Sequence, residues 1–101
     1  MICGLFFMLW WKYKQLRAWN PKTRLAAVEK IAQIDHPDSV ASLIFALKDK
    51  KVEVRCAAAR ALGKFRNAKA VEPLMQMLRD PVAEARVLAA EILGQCRIRA
   101  R

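Results

Sequence analysis

The sequence predicts an all-α protein, an α-solenoid of about two and a half antiparallel helix hairpins preceded by an extra N-terminal helix. Three observations support this prediction. The composition is 55% hydrophobic with only three glycines and four prolines, which favours helices over strands or a disordered chain. The apolar residues recur at helical spacing. A long block also repeats after 31 positions, from Asp49 to Asp80, and such a period is typical of stacked helical units.

The repeat relates residues 49–66 to residues 80–97. DKKVEVRCAAARALGKFR aligns with DPVAEARVLAAEILGQCR, so that Asp, Glu, Arg, a pair of alanines and Leu-Gly fall at equal positions. A third, degenerate copy lies upstream, where Arg24 aligns with Arg55. Because a short amphipathic helix cannot bury its apolar face alone, stacked hairpins would share one core. Residues 20–101 are therefore predicted to form one repeat domain, and residues 1–19 a separate N-terminal segment.

The helix boundaries follow from the apolar spacing and from the residues between the periodic segments. Asn20 and Asp80 each precede a proline and are expected to cap the helices that follow, and Ser39 is expected to cap the helix after His36. The predicted helices span residues 3–18, 21–34, 38–48, 51–65, 69–79 and 82–97.

The N-terminal segment is apolar and then basic. Residues 1–11, MICGLFFMLWW, carry no charge and are too short to cross a bilayer as a helix, since about 20 residues are needed. Apolar residues beside Trp and cations favour contact with an anionic membrane surface, at the inner face of a membrane. A cap on the first repeat, self-association and an unknown protein partner are the alternatives. The candidate membrane-contact residues are Leu5, Phe6, Phe7, Leu9, Trp10, Trp11, Lys12, Lys14 and Arg17.

Charge and cysteine content narrow the classes of function. The net charge of +10 is concentrated at the chain ends, because residues 29–96 carry eleven basic and nine acidic residues. Three cysteines without a CxxC pair predict neither disulfides nor a zinc site, and they indicate a reducing, cytoplasmic location. The single histidine, His36, lies in a turn, where a capping or a surface role is expected. No residues are predicted to be catalytic, and no metal or cofactor is expected.

The repeated pattern D-x-x-x-x-V/A-R-x-x-A-A-x-x-L-G resembles a HEAT repeat, and most of all the short subtype named after phycobilisome lyases. The resemblance implies that the aspartates and arginines are structural. Aspartates in the turns within hairpins and arginines on the second helices would form a hydrogen-bonded ladder between repeats. The matching residues are Asp49, Arg55, Asp80 and Arg86. Arg24 departs from the pattern, because Ala18 stands at the position equivalent to Asp49.

The resemblance also implies that the second helices line a concave, protein-binding face. At equivalent positions this face carries Glu29, Arg60 and Glu91, which alternate in charge. Two carboxylates there would repel phosphate, so nucleic-acid binding is the weaker alternative. A role as accessory subunit of a lyase-type enzyme is a further alternative. The predicted function is a non-catalytic scaffold for protein–protein interaction. Its candidate partner-binding residues are Glu29, Arg60, Lys64, Glu84, Glu91 and Gln95.

Overall fold

The computed structural model describes residue 18, residues 20–34 and residues 36–95, together with the helical backbone of residues 96–99. This part of the chain contains α-helices, one short 3-10 helix and no strand, so the predicted all-α architecture is confirmed. The helices are α1 Pro21–Ile31, α2 Pro37–Ala46, α3 Val52–Phe65, the 3-10 helix Ala68–Ala70, α4 Val71–Met77 and α5 Ala83–Arg99.

Side-chain caps set the helix starts. The side chain of Asn20 accepts a hydrogen bond of 2.9 Å from the backbone N–H of Lys22, as predicted for α1. The prediction for α2 was wrong, because His36 and not Ser39 caps this helix: Nδ1 of His36 accepts from the N–H of Asp38 at 3.1 Å. Ser39 lies in the first turn of the helix, fully buried, and its hydroxyl has no hydrogen-bond partner within the described residues.

The helices pair as hairpins around α3. Helix α2 packs on α3 and α4 packs on α5, while α1 supplies the leading half unit against α3. One ion pair joins the N-terminal end of α1 to the turn before α3, and another joins the N-terminal end of α3 to the turn before α5. The C-terminal Gly63 of α3 contacts Ile92 of α5. Helices α1, α3 and α5 therefore run parallel, as the second helices of successive repeats do.

Small residues let these second helices approach closely. Ala27, Ala58 and Ala89 occupy equivalent positions on α1, α3 and α5, and all three are fully buried. Larger apolar residues such as Ile31 and Leu62 fill the space beside them. The core therefore runs along the stack and does not close within one hairpin.

The predicted apolar face of α4 is only partly buried. Leu74 and Met77 lie in the core, but Val71, Met75 and Leu78 are exposed. Helix α4 is the first helix of the final hairpin in the described stack. No further helix of the described residues covers its outer side. Helical spacing predicts a shared apolar face for these residues. Whether that face is buried depends on a neighbouring repeat.

All but the last residue of the predicted N-terminal helix, residues 3–18, lies outside the described residues, as do the nine candidate membrane-contact residues from Leu5 to Arg17. None of the described helices is both long and apolar enough to cross a membrane.

Candidate functional site

A ladder of arginine–aspartate pairs joins successive repeats. Arg55 on α3 binds Asp80 in the turn before α5 through two parallel hydrogen bonds, Nε to Oδ2 at 2.6 Å and Nη2 to Oδ1 at 3.0 Å. Its Nη1 donates to the carbonyl of Asp49 at 2.8 Å. Each such arginine therefore reaches forward to a carboxylate in the next repeat and back to a carbonyl in the turn before its own helix. This fork-to-fork geometry is the strongest form of the pair.

Arg24 forms the same rung despite Ala18. Its Nε and Nη2 bind Asp49 at 2.7 and 3.1 Å, and its Nη1 donates to the carbonyl of Ala18 at 2.8 Å. The arginine takes its carboxylate from the following turn. The residue in its own turn supplies only a backbone carbonyl, which alanine can supply as well as aspartate.

The aspartates also stabilise the turns that precede α3 and α5. Asp80 is not the helix cap that the sequence predicted, because α5 begins three residues later, at Ala83. Asp80 accepts from the N–H of Val82 and Asp49 from the N–H of Lys51, both at 2.9 Å. Burial opposes ionisation of Asp80, but the hydrogen bonds from Arg55 and from the Val82 N–H outweigh it, so the pKa of Asp80 is lowered. The carboxylate is thus held in its charged form between two repeats.

A groove of about 630 Å³ runs along the side of the stack formed by the second helices. Its floor consists of apolar and small side chains, and its edges carry charged and amide side chains. The lining residues are Leu25, Val28, Glu29, Ala32 and Gln33 from α1 and the turn after it, Val52, Glu53, Cys56, Ala57, Arg60, Ala61 and Lys64 from α3, and Glu84 from α5.

The charges in the groove are separated along its length. Glu53 and Glu84 stand in the first turns of α3 and α5, whereas Lys64 lies in the last turn of α3. Arg60 lies one turn before Lys64, and Glu29 of α1 faces the same stretch of the groove. All five side chains are exposed and make no hydrogen bond or ion pair with any other described residue. One end of the groove therefore carries two carboxylates, and the other carries the two cations with Glu29 beside them.

The family model for HEAT repeats matches residues 13–95, most of the chain. The chain belongs to the HEAT repeat family. No curated protein matches it. HEAT repeats generally serve as scaffolds for protein–protein interaction, and the family is typically non-catalytic. The narrower similarity to the phycobilisome lyase subtype remains a resemblance.

The HEAT fold brings four of the six candidate partner-binding residues together. Glu29, Arg60, Lys64 and Glu84 line the groove. The other two candidates, Glu91 and Gln95, are exposed on α5 but do not line it. Only the first turn of α5 reaches the groove, which lies mainly between α1 and α3.

Sequence reasoning missed Glu53. This residue stands at the position equivalent to Glu84, so the 31-residue repeat itself carried the signal. The acidic end of the groove therefore has two carboxylates, of which only Glu84 was among the candidates.

Cys56 lies in the floor of the groove with an almost fully buried side chain. Burial, reinforced by the carboxylate of Glu84, raises the pKa of its thiol. A thiol with a raised pKa stays protonated at neutral pH, and a protonated thiol is a poor nucleophile. Cys56 therefore acts in this HEAT domain as a small apolar side chain. Among the described residues, no group of three or more His, Cys, Asp or Glu side chains could hold a metal ion.

Proposed function

We propose that this HEAT repeat chain is a non-catalytic scaffold that binds a segment of a partner protein in the groove between α1 and α3. One observation carries the proposal: an apolar floor is bordered by five charged side chains that have no partner within the described residues. Apolar area supplies the binding free energy, and unpaired charges at the border supply register and specificity.

The charges also indicate the chemistry of the partner. A segment that fits the groove should present apolar side chains to Val28, Ala57 and Ala61, since these form the floor. It should place basic residues against the end with Glu53 and Glu84 and acidic residues against Arg60 and Lys64. An amphipathic helix with opposite charges at its two ends meets both conditions.

Photo-crosslinking in the native host tests this assignment. A photo-reactive amino acid at Gln33, which lines the groove, should capture a partner protein, and the same amino acid at the exposed Glu72 on α4 should not. With the captured partner purified, reversing both cations by Arg60→Glu and Lys64→Glu should weaken binding at least about tenfold, because like charges would then meet. Calorimetric titration measures the dissociation constant.

The matched control is Lys69→Glu, which reverses an exposed cation outside the groove and should leave the affinity unchanged. Unchanged affinity after reversal of Arg60 and Lys64 would contradict the groove assignment. A duplex nucleic acid that binds the wild-type chain and is lost from the doubly reversed variant would replace the protein partner by the nucleic-acid alternative.

We also propose that residues 1–17 tether the scaffold to an anionic membrane surface. The support comes from the sequence, where an uncharged run of eleven residues with two tryptophans is followed by Lys12, Lys14 and Arg17. Aromatic residues favour the headgroup region, and cations beside it are attracted to anionic lipid.

Flotation with phosphatidylserine-containing vesicles tests the tether. The full chain should float with these vesicles, and a variant that begins at Asn20 should stay at the bottom of the gradient. Neutral phosphatidylcholine vesicles should retain less of the full chain, because each basic residue near an anionic surface contributes about 1 kcal/mol. If the full chain binds neither kind of vesicle and sediments as a dimer that the shorter variant does not form, the result contradicts the membrane tether and supports self-association.

A further inference from the structure

Equivalent residues in the two complete repeats differ in exposure on one side only. The apolar residues that face inwards within a hairpin are buried in both repeats, as Val54 and Ala85 show. The residues that face the next repeat are not. Cys56 is 4% exposed and its equivalent Val87 is 57% exposed. The side that a following repeat covers on α2 and α3 is therefore open on α4 and α5.

The first helices show the same contrast. Leu47 of the first hairpin is 7% exposed beneath the second hairpin, and its equivalent Leu78 is 39% exposed. Met75 is half exposed, whereas its equivalent Ile44 is only partly so. The open surface, here called the end face, comprises Met75, Leu78, Arg86, Val87, Ala90 and Gly94.

Arg86 on the end face is already held in the conformation that its equivalents use to bind aspartate. Its Nη1 donates to the carbonyl of Asp80 at 2.6 Å, as Arg55 does to Asp49 and Arg24 to Ala18. Arg55 uses its Nε and Nη2 to bind a carboxylate 25 residues further along the chain. The same two groups of Arg86 make no hydrogen bond to any described residue. A guanidinium fork is thus positioned for a carboxylate at the open end of the ladder.

Gly94 lies about two helical turns beyond Arg86 on α5. At the equivalent Gly63, an added Cβ would lie 3.2 Å from Ile92, because Ile92 packs directly on the glycine. At Gly94 an added Cβ would meet no atom within 4 Å. The space that the branched side chain of Ile92 fills at Gly63 is therefore open at Gly94, and this open space is here called the notch.

We propose that the end face binds a helical hairpin of a partner protein that carries an aspartate in its turn and a branched aliphatic residue on its second helix. The internal repeats define this ligand. Asp80 in the turn before α5 binds Arg55 of α3, and Ile92 on α5, twelve positions later, packs on Gly63 of α3. Apolar residues on the hairpin would cover Leu78 and Val87. This surface is distinct from the groove, so the proposal does not depend on the groove's partner.

A second copy of this chain does not meet the requirement when stacked head to tail. The residue it would bring to Arg86 is the one equivalent to Asp49 and Asp80, and that residue is Ala18. Residues 1–28 contain no Asp or Glu at all. A head-to-tail second copy would therefore bring no carboxylate to the fork of Arg86.

Binding of a labelled peptide with the sequence of residues 67–99 tests the proposal, because this peptide holds Asp80 and Ile92 at the required spacing. Fluorescence anisotropy should show saturable binding to the full chain. Arg86→Gln in the chain or Asp80→Asn in the peptide should each weaken binding at least about tenfold, since each removes a charge-assisted pair. The two changes together should weaken it no further than one alone.

Two further variants make the result specific. Gly94→Leu fills the notch and should abolish binding, while the thermal unfolding midpoint of the free chain stays the same or rises. Arg60→Glu, in the groove, should leave peptide binding unchanged. Equal binding to the wild-type chain and to Arg86→Gln would overturn the proposal, as would no saturable binding to the wild-type chain. A wild-type dimer that Arg86→Gln dissociates would also overturn it, in favour of a second copy.

Discussion

Replacing Asp80 with alanine should lower the free energy of unfolding by about 3 kcal/mol, because it leaves the guanidinium of Arg55 without its carboxylate between two repeats. The side chains of this pair are only 6% and 13% exposed, so water can compensate for little of the loss. The same change removes the hydrogen bond from the N–H of Val82, which contributes about 1 kcal/mol of that loss. Urea denaturation followed by circular dichroism measures the effect.

The matched control is Glu72→Ala, which removes an exposed carboxylate from the first turn of α4 and should cost less than about 1 kcal/mol. Equal losses for the two variants would contradict the structural role of the ladder. The double variant Arg55→Met with Asp80→Ser should recover part of the loss, since it removes both charges and retains a side chain that can accept a hydrogen bond from the N–H of Val82.

The pH dependence of stability gives a second measurement of the same pair. The pKa of Asp80 is lowered from its ordinary value of 3.8 in the folded chain, so the unfolded chain binds the proton first as the pH falls. The contribution of Asp80 is therefore complete above about pH 5 and is lost progressively as the pH falls through about 4 and below. Asp80→Ala should show a shallower decline in unfolding free energy over this range than the wild-type chain.

Replacing Leu62 with alanine should lower the free energy of unfolding by about 2–5 kcal/mol, the range for buried leucines that leave a cavity. Leu62 is 1% exposed and lies on α3, which packs against both neighbouring second helices and against α2. Small domains are stable by only about 5–15 kcal/mol, so this single change should bring the chain near its unfolding limit. Urea denaturation at 25 °C checks the prediction.

Leu78→Ala provides the matched control, since it makes the same chemical change at a leucine on the exposed side of the stack. It should cost about 1 kcal/mol or less, because little apolar area is withdrawn from the core. If the two substitutions cost the same, the core does not run along α3 as described.

Local chemistry explains why much of the fold could be predicted. Helical spacing, proline positions and capping residues act within a few positions of each other, so α1, α3 and α5 begin and end within a few residues of the prediction. The exception is also local. His36 and Ser39 can both cap a helix, and the structure selects His36 because the helix begins at Pro37.

The candidate site was only partly predictable, for a different reason. Membership of a surface groove depends on which parts of neighbouring helices face each other, and the repeat alignment gives equivalence but not proximity. Glu91 is equivalent to Glu29 and Arg60, yet it lies beyond the stretch of α5 that reaches the groove. Glu53 lines the groove, although it does not belong to the row of alternating charges that the repeat alignment indicated.

The repeat, the helices, the positions of the turns and the residue types at the helix contacts could be predicted from the amino acids alone, because all of these follow from spacing along one chain. Which carboxylate each arginine binds depends on how the repeats pack, since each pair joins residues 25 positions apart in different repeats. The tertiary structure also decided that Cys56 is covered and Val87 is not. The two residues occupy the same position in the same repeat pattern, and burial depends on whether another hairpin packs against them.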